Sequence, residues 1–403
     1  MPPGIPITAY SACNGLGQTT AEVLDGLFAG RRGLTLADPS LGVSTWVGAI
    51  PGELPALDQR LAPILAGFDS RQARIAQLVT IPLLPAVERA KQRWGAARVG
   101  LILGTSTAGI AASEQAWVHH REFGALPSDY ALERQHALYA TIEVVRALTG
   151  VRGPGYVVST ACSSSGKVFA SAERLLAAGI VDAVVVGGVD SLCQLTVRGF
   201  ASLEVLSPDP CRPFSSERRG INIGEGGALL LLERPGPGVE GIGVELLGVG
   251  ESSDAHHMTA PHPEGLGARI AMERALARAG ISSPAVDQVD QINVHGTGTT
   301  MNDETESRAI RDLFGGVPDS LSVVATKGYT GHMLGAAGAT EAIFVAATIE
   351  RGELPASVGA SPVDPSLALS VELVRRRRAT RRVLSNSLAF GGSNVSVLLG
   401  AGQ

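Results

Sequence analysis

Short apolar runs alternate with helix-like segments along most of this chain. Residues 155–159 (Gly-Tyr-Val-Val-Ser) predict a short buried strand, and residues 166–178 have the composition and periodicity of a helix. Residues 181–190 are apolar and are bounded by aspartates, as is typical of a strand buried on both faces. This alternation of strand and helix predicts an α/β fold whose sheets are covered by helices.

Cys162 stands where the first of these strands gives way to its helix, within the segment Thr-Ala-Cys-Ser-Ser-Ser. Unpaired backbone N–H groups and the positive end of the helix dipole at such a junction favour thiolate over thiol. The junction therefore predicts a nucleophilic thiol near neutral pH. The alternative is a small apolar core residue, which is the more common state of a free cysteine. The local sequence leaves both interpretations open.

Two histidines lie in glycine-bracketed loops far downstream. His295 ends a predicted strand and precedes Gly-Thr-Gly-Thr, and His332 opens a helix of small residues. Glycines on both sides let the backbone turn sharply and approach a ligand closely. Histidines without this bracketing are interpreted as structural.

Together these segments resemble the elongating β-ketoacyl-[acyl carrier protein] synthases, the condensing enzymes of the thiolase fold. The resemblance covers essentially the whole chain and rests on five segments in the family's order. They are Thr-Ala-Cys-Ser-Ser at 160–164, Cys-Arg-Pro-Phe at 211–214 with Gly-Glu-Gly-Gly at 224–227, Val-His-Gly-Thr-Gly-Thr at 294–299, 326–338 from Thr-Lys to Gly-Ala-Ala-Gly, and 386–394 around Phe-Gly-Gly.

The resemblance implies a role for each matching residue. Cys162 would carry the acyl chain, and His295 and His332 would stabilise the carbanion formed when the malonyl extender loses carbon dioxide. Lys327, held by Glu341, would tune His332 electrostatically. Backbone N–H groups of Cys162 and Phe390 would bind the oxyanion, and Phe390 also resembles the family's gating phenylalanine. Neither a metal nor another cofactor is expected.

Three threonines match substrate-binding positions of the family. Thr297 and Thr299 would bind the pantetheine arm of the carrier, and the alternative is that they only cap a turn. Thr107 matches a residue that lines the acyl pocket near the dimer interface, where its small polar side chain would admit a longer chain. Asp303 and Glu306 also match acidic family positions, but a solvated helix start explains them equally well.

The resemblance further implies partners and a pathway. An acyl carrier protein would deliver both thioesters, and the enzyme would be a homodimer or a heterodimer with a homologous subunit. The segments around Cys162 and Asp190 are closest to synthases of aryl-polyene pigment pathways, although a fatty-acid pathway remains open. Candidate basic residues for docking the acidic carrier protein are Arg71, Arg74, Arg218, Arg219, 375–378, Arg381 and Arg382.

An internal duplication is suggested by two similar chain segments. Residues 220–233 and 390–399 each run from a Gly-Gly turn into an apolar strand. The turn-rich segment 235–238 (Pro-Gly-Pro-Gly) predicts a seam between an N-terminal half, 1–236, and a C-terminal half, 237–403. The family arrangement that the resemblance implies is a duplicated, five-layered αβαβα body with the active site where the halves meet.

Composition excludes several other classes of protein. The chain has 403 residues, 18% of them charged, and a net charge of −5, which argues against a nucleic-acid partner. No apolar run reaches the roughly 18 residues that span a bilayer, and the amino terminus does not resemble a signal peptide. The four cysteines show no spacing typical of disulfides or zinc sites, which predicts a cytoplasmic location.

Three alternatives share part of this pattern. A degradative thiolase uses a second cysteine as its base, and a cysteine hydrolase leaves one of the two histidines without a role. The third is a non-catalytic, chain-length-setting subunit of a ketosynthase heterodimer, and such subunits characteristically lack the cysteine. Cys162 together with His295 and His332 argues against all three.

Overall fold

The computed structural model describes residues 4–282, 285, 287–318 and 320–402. Its strands are β1 Ile5–Asn14, β2 Thr35–Leu36, β3 Trp46–Gly48, β4 Val99–Gly104, β5 Gly155–Val158, β6 Ala183–Asp190, β7 Ile223–Gly224, β8 Gly226–Glu233, β9 Val244–Ser253, β10 Gln291–Val294, β11 Ser322–Ala325, β12 Glu353–Leu354, β13 Arg376–Arg377, β14 Arg382–Leu388 and β15 Ser393–Ala401.

The α-helices connect these strands and cover them. They are α1 Thr20–Phe28, α2 Ala62–Leu65, α3 Arg71–Thr80, α4 Leu84–Trp94, α5 Ile110–Phe123, α6 Leu132–Gln135, α7 Ala140–Thr149, α8 Ser164–Ala177, α9 Gln194–Ser202, α10 Leu266–Arg278, α11 Thr300–Phe314, α12 Lys327–Thr330 and α13 Ala337–Arg351. Within the ranges described, no helix is both long enough and apolar enough to cross a membrane.

The main sheet has the strand order β11-β10-β14-β15-β9-β1-β8-β6-β4-β5. Each half of this sheet contains the same arrangement. From the centre outward, the first half has the order β1, β8, β6, β4, β5, and the second half has the order β9, β15, β14, β10, β11. If the five strands of each half are numbered 1 to 5 along the chain, both halves have the order 1-5-4-2-3. In each half the two outermost pairings are parallel and the two inner ones are antiparallel. The two halves join where β1 pairs with β9 at Ile5 and Pro6.

Helices α8 and α13 form the layer between the two halves of the sheet. α8 contacts β4 and β6 on one side and β9 and β15 on the other, and α13 contacts β6, β8, β14 and β15. The two helices approach closely at glycines, since a Cβ on Gly338 would lie 2.7 Å from the backbone nitrogen of Gly166. The apolar side chains of this layer form one core with both halves of the sheet.

Outer helices complete a five-layered order. α3, α4 and α7 pack on the first half and enclose a second apolar core, and α10 and α11 do the same for the second half. The predicted seam near residue 236 lies between β8 and β9. The exact boundaries 1–236 and 237–403 stay a prediction, and residues 1–3 and 403 of these halves lie outside the described residues.

The predicted strand at 155–159 is present as β5, but it is not buried. β5 forms the outer edge of the sheet, and Tyr156 is 41% exposed. The apolar alternation of a short strand indicates the strand itself and does not reveal whether a neighbour covers its outer edge. By contrast, β6 is buried along its whole length, as its apolar run predicts.

Candidate active site

Cys162 lies in a tight turn between β5 and α8. The preceding residue, Ala161, has a φ of 51°, a conformation that a residue with a side chain seldom adopts. Its carbonyl oxygen accepts hydrogen bonds from the hydroxyls of Ser106 at 2.9 Å and Ser164 at 2.6 Å. These bonds hold the strained turn in place and set the thiol at the amino-terminal end of α8.

The environment of the thiol is enclosed. Burial raises the pKa of Cys162 to about 12, although the positive charge of Lys327 and the backbone N–H groups of Phe390 and of Cys162 itself lower it. The prediction that the helix end makes this group a thiolate near neutral pH is therefore wrong for the enclosed site. Desolvation outweighs the helix end, so the resting form is the thiol.

His295 and His332 face each other beside the nucleophile. Their ring centroids are 5.1 Å apart with the planes at 83°, and both rings line the cavity that contains Cys162. Burial and the charge of Lys327 hold the pKa of both imidazoles well below 6.5, so both are neutral at pH 7. Neither ring nitrogen of His332 has a hydrogen-bond partner among the described residues.

Lys327 joins the His295 strand to α13. Its Nζ donates to Oε1 of Glu341 at 2.6 Å, to Nδ1 of His295 at 3.3 Å and to the His295 carbonyl oxygen. The expected contact with Glu341 is present, but the imidazole that Lys327 touches is His295 and not His332. Because an ammonium has no acceptor, Nδ1 of His295 must accept, and Nε2 carries the hydrogen.

Asp303 and Glu306 belong to the interior of the protein. Glu306 accepts from the backbone N–H groups of His295 at 2.8 Å and Gly296 at 2.9 Å, and from the amide of Asn386. Burial raises the pKa of Glu306 to about 7. The interpretation of both residues as a solvated helix start is therefore wrong. Their spacing with Ile310 on one face of α11 was the available signal.

The predicted substrate threonines occupy different surroundings. Thr297 and Thr299 line the cavity, and their hydroxyls bond each other at 2.8 Å. Thr107 is not among the residues that line this cavity, and its hydroxyl donates to the buried carboxylate of Asp190 at 2.8 Å. Asp190 also accepts from Thr105 and from the backbone of Ser106. Thr107 as a pocket-lining residue stays a prediction.

Phe390 closes one side of the cavity. Its ring stacks on Phe200 at 5.5 Å, and it begins a turn in which Gly391 and Gly392 both have positive φ. The loop that starts at Asp254 also lines the cavity, and the resemblance of residues 254–259 to a family loop near the tunnel was the available signal. The cavity has a volume of about 100 Å³, less than most small-molecule pockets have.

Most of the candidate docking arginines are held by carboxylates. Arg71 binds the buried Glu225, and Arg218 binds Asp364 at 2.5 Å. The remaining pairs are Arg74–Asp69, Arg219–Asp209, Arg375–Glu353, Arg376–Glu372 and Arg377–Glu353. Three arginines of the basic run 375–378 therefore share two carboxylates, Glu353 and Glu372, which balance about half of its charge.

The chain matches known condensing enzymes along most of its length. Residues 4–235 match the N-terminal domain of beta-ketoacyl synthases, and residues 244–361 match their C-terminal domain. The chain belongs to the β-ketoacyl synthase family. Nodulation protein E of Rhizobium meliloti (strain 1021) is 33% identical over 403 residues, covering 97% of each chain. The 3-oxoacyl-[acyl-carrier-protein] synthase 2 of Synechocystis is 30% identical, covering 98% of this chain and 97% of that protein.

Solved structures of β-ketoacyl synthases share the fold. The ketosynthase ApeO of Xenorhabdus doucetiae, determined in complex with its chain length factor ApeC, superposes with a TM-score of 0.89. It is 38% identical, and the match covers 99% of this chain and 98% of that one. A β-ketoacyl synthase of Burkholderia phymatum superposes with a TM-score of 0.86 at 26% identity over the full length of both chains. The predicted thiolase-like α/β fold is confirmed.

Proposed function

We propose that this β-ketoacyl synthase lengthens a Cys162-bound acyl chain by two carbons through decarboxylative condensation with a malonyl thioester. The observation that carries the proposal is one cavity lined by Cys162, His295 and His332, with Lys327 bonded to His295. Other reactions of cysteine enzymes leave one imidazole without a role. Catalytic roles are proposed for these four residues and for Glu341, which holds Lys327.

The first step transfers the acyl chain. The sulfur of Cys162 attacks the thioester carbonyl of the incoming acyl carrier, and the C–S bond to the pantetheine thiol then breaks. Since Cys162 rests as the thiol, its proton must leave as the new C–S bond forms. The unpartnered imidazole of His332 can relay that proton to the departing pantetheine thiolate.

The second step forms the carbon–carbon bond. The malonyl carboxylate leaves as carbon dioxide, and the electron pair passes into an enolate whose oxygen accepts hydrogen bonds from the two imidazoles. His295 can donate through Nε2 because Lys327 occupies its Nδ1. The enolate carbon attacks the acyl carbonyl, and the C–S bond to Cys162 breaks. The released thiolate regains a proton from solvent.

The tetrahedral oxyanion needs fixed donors. The backbone N–H groups of Cys162 and Phe390 lower the pKa of the thiol, which supports a role for both as donors to the reacting carbonyl. Donors held by the backbone stabilise developing charge without reorganisation. Phe390 is also proposed as the gate, because a cavity of about 100 Å³ must widen to admit an acyl chain.

Two alternatives find less support in the site. A degradative thiolase needs a second cysteine as base, and Cys162 is the only cysteine among the described residues that line this cavity. A non-catalytic chain-length subunit does not require Cys162. Cys162→Ala distinguishes the two proposals, since it abolishes the acyl-enzyme of a catalyst and leaves the function of a structural subunit unchanged.

A second subunit of homologous fold is part of the proposal. Large apolar side chains are exposed on α5 and the segment that follows it, including Trp117, Phe123 and Leu132, and β5 leaves an open edge on the sheet. Such a surface indicates a protein interface. The similarity to a ketosynthase that was determined with its chain length factor favours a heterodimer over a homodimer.

The most specific part of the proposal is the biosynthetic pathway in which the enzyme acts. The segments around Cys162 and Asp190 resemble aryl-polyene synthases, so we place the enzyme in that type of polyene synthesis, with a fatty-acid pathway as the alternative. An acyl carrier protein supplies both thioesters. A cytoplasmic location is supported by the four cysteines, all of which are free and buried.

The test is mass spectrometry of carrier-bound products after incubation with malonyl-carrier protein and a panel of primers. We expect a two-carbon extension that is lost in Cys162→Ala. Aryl or polyenoyl primers should be preferred over saturated ones, and the reverse preference would assign the enzyme to fatty-acid synthesis. Failure to extend any primer, both alone and with a homologous partner subunit, would refute the condensation.

A further inference from the structure

A second pocket adjoins the cavity that contains Cys162. The two spaces share four lining residues, Ala260, Pro261, Met301 and Thr305. The outer pocket has a volume of about 320 Å³ and is completed by His256, Pro263, Glu304 and Arg308. Because the walls are shared, a ligand whose reacting end lies at Cys162 can extend into the outer pocket.

One face of α11 runs from the cavity to this pocket. Met301, Thr305 and Arg308 have the spacing i, i+4, i+7 and line the same side of the helix. Arg308 stands about 13 Å along the helix axis beyond Thr299, which lines the inner cavity. Its side chain tilts back towards the helix N-terminus, as helical side chains do, so its charge lies nearer the cavity than its Cα does.

The length of a phosphopantetheine arm is comparable to the distance between Thr299 and Arg308 along α11. Thirteen bonds separate the sulfur of a phosphopantetheine arm from its phosphorus, which corresponds to about 15 Å at the reach of an extended backbone. Only the far end of the arm carries a negative charge, as a phosphate diester. With the sulfur at Cys162 and the arm passing Thr297 and Thr299, the phosphate end points towards the outer pocket, whose lining is shared with the cavity.

The charges around the pocket permit an anion at Arg308. Nη1 of Arg308 contacts Oε1 of Glu264 at 2.9 Å and donates to the carbonyl oxygen of Pro263 at 3.0 Å. A guanidinium carries three further N–H donors on Nε and Nη2. Glu264 is 69% exposed, so its ion pair is weak and an entering phosphate can displace it.

The other charged group that lines the pocket also has a partner. Glu304 contacts Arg218 at 3.4 Å, which offsets its repulsion of an anion. His256 also lines the pocket, and its ring centroid is 5.3 Å from that of His262. The imidazole can donate one hydrogen bond to a phosphate oxygen, while the guanidinium can bind two oxygens at once.

We propose that Arg308, assisted by His256, binds the phosphate diester of the phosphopantetheine arm. The inference rests on the proposed function, because it assumes that the substrates arrive on such an arm. It adds a site for the charged end of the arm, whereas Thr297 and Thr299 contact its uncharged part. The site gives the enzyme a means to prefer a carrier-bound thioester over the same acyl group on an uncharged thiol.

The experiment compares the binding of pantetheine 4′-phosphate and of pantetheine by calorimetry, in the full-length protein. We expect the wild-type protein to bind the phosphorylated compound roughly tenfold more tightly. Arg308→Gln should abolish this difference. Arg311→Gln, one turn further along α11 and outside the pocket, should retain it. An undiminished preference in Arg308→Gln, or equal binding of both compounds by the wild-type protein, overturns the proposal.

A second variant tests the same proposal without changing Arg308, so a loss of folding in Arg308→Gln does not affect it. Glu264→Gln removes the carboxylate that competes with the phosphate, so the preference for the phosphorylated compound should increase. A decrease would contradict the proposal. Because these are binding measurements, their outcome is separate from that of the condensation assay. A protein that binds both compounds equally but still condenses primers would refute this site alone.

Discussion

Nζ of Lys327 lies 3.3 Å from Nδ1 of His295, in a part of the protein where both side chains are almost completely buried. The lysine can only donate, so the contact determines which nitrogen of the imidazole faces the substrate. Glu341 accepts from the same ammonium at 2.6 Å and balances its charge. The three side chains therefore act as one unit, although they come from the loop directly after β10, from α12 and from α13.

We expect Lys327→Met and Glu341→Gln to be strongly destabilising when made separately. Each leaves one partner of a buried ion pair uncompensated, a change that costs about 3–5 kcal/mol. The double variant should lose less than the sum of the single losses, because no unpaired charge remains. Denaturant unfolding of the four proteins measures this coupling, and additive losses would show that the pair does not act as a unit.

Lys327→Met should also impair the chemistry beyond its effect on stability. Without the ammonium at Nδ1, the tautomer of His295 is no longer fixed. We expect malonyl decarboxylation by the folded variant to fall by roughly 100-fold. The measurement is carbon dioxide release at a temperature where the variant is fully folded. Glu341→Gln keeps the lysine but loses its partner, so it should lose comparable stability and a smaller part of the activity.

The reactivity of Cys162 should follow its burial. Because burial raises the pKa of the thiol to about 12, alkylation by iodoacetamide should accelerate steadily from pH 7 to pH 10 without a plateau. Lys327→Met should slow the reaction at each pH, since the lysine charge lowers the pKa of the thiol. Mass spectrometry with Cys162→Ser as the control identifies the labelled residue. A plateau below pH 8 would indicate a thiolate and contradict the prediction.

This contrast shows what a sequence can reveal about the site. The segments around Cys162, His295 and His332 predicted three side chains that the fold brings to one cavity. Their residue types and glycine neighbours are local properties, which a sequence displays directly. The pKa of the thiol depends instead on how much protein surrounds it, and on contacts from Lys327 and Phe390 that lie far away in the chain.

The features that the sequence did not reveal share one cause, because each depends on contacts between distant parts of the chain. Glu306 follows a polar helix start, so its sequence context suggested solvent, yet α11 turns this residue towards the backbone of His295. Lys327 lowers the pKa of His332, as the sequence predicts, but its direct contact with the more distant histidine, His295, was not predicted. β5 was predicted correctly as a strand, but its position at the edge of the sheet depends on the assembled topology.

Glu306 should make stability depend on pH. Its folded pKa of about 7 is above the usual 4.5, so its contribution is complete below pH 4.5 and is lost as the pH rises through 7. We expect the free energy of unfolding to decrease across this range by up to about 3 kcal/mol on account of this group. Glu306→Gln should flatten the decrease, and Glu304→Gln, at an exposed position of the same helix, should leave it unchanged. An equal slope in both variants would assign the effect elsewhere.

Thr107 offers a test of chain-length selection that separates volume from hydrogen bonding. Thr107→Phe should shorten the longest primer that the enzyme extends, if this position borders the acyl pocket. The same substitution removes the hydroxyl that donates to Asp190, so it also perturbs the turn that supports Cys162. Thr107→Val is the control, because it keeps the volume and loses only the hydroxyl. We expect it to cost about 1 kcal/mol of stability and to leave the product length unchanged. Mass spectrometry of the product lengths decides between the two effects. A change of product length in both variants would attribute chain-length selection to the hydrogen bond with Asp190. A change in Thr107→Phe alone would attribute it to the space that the side chain fills.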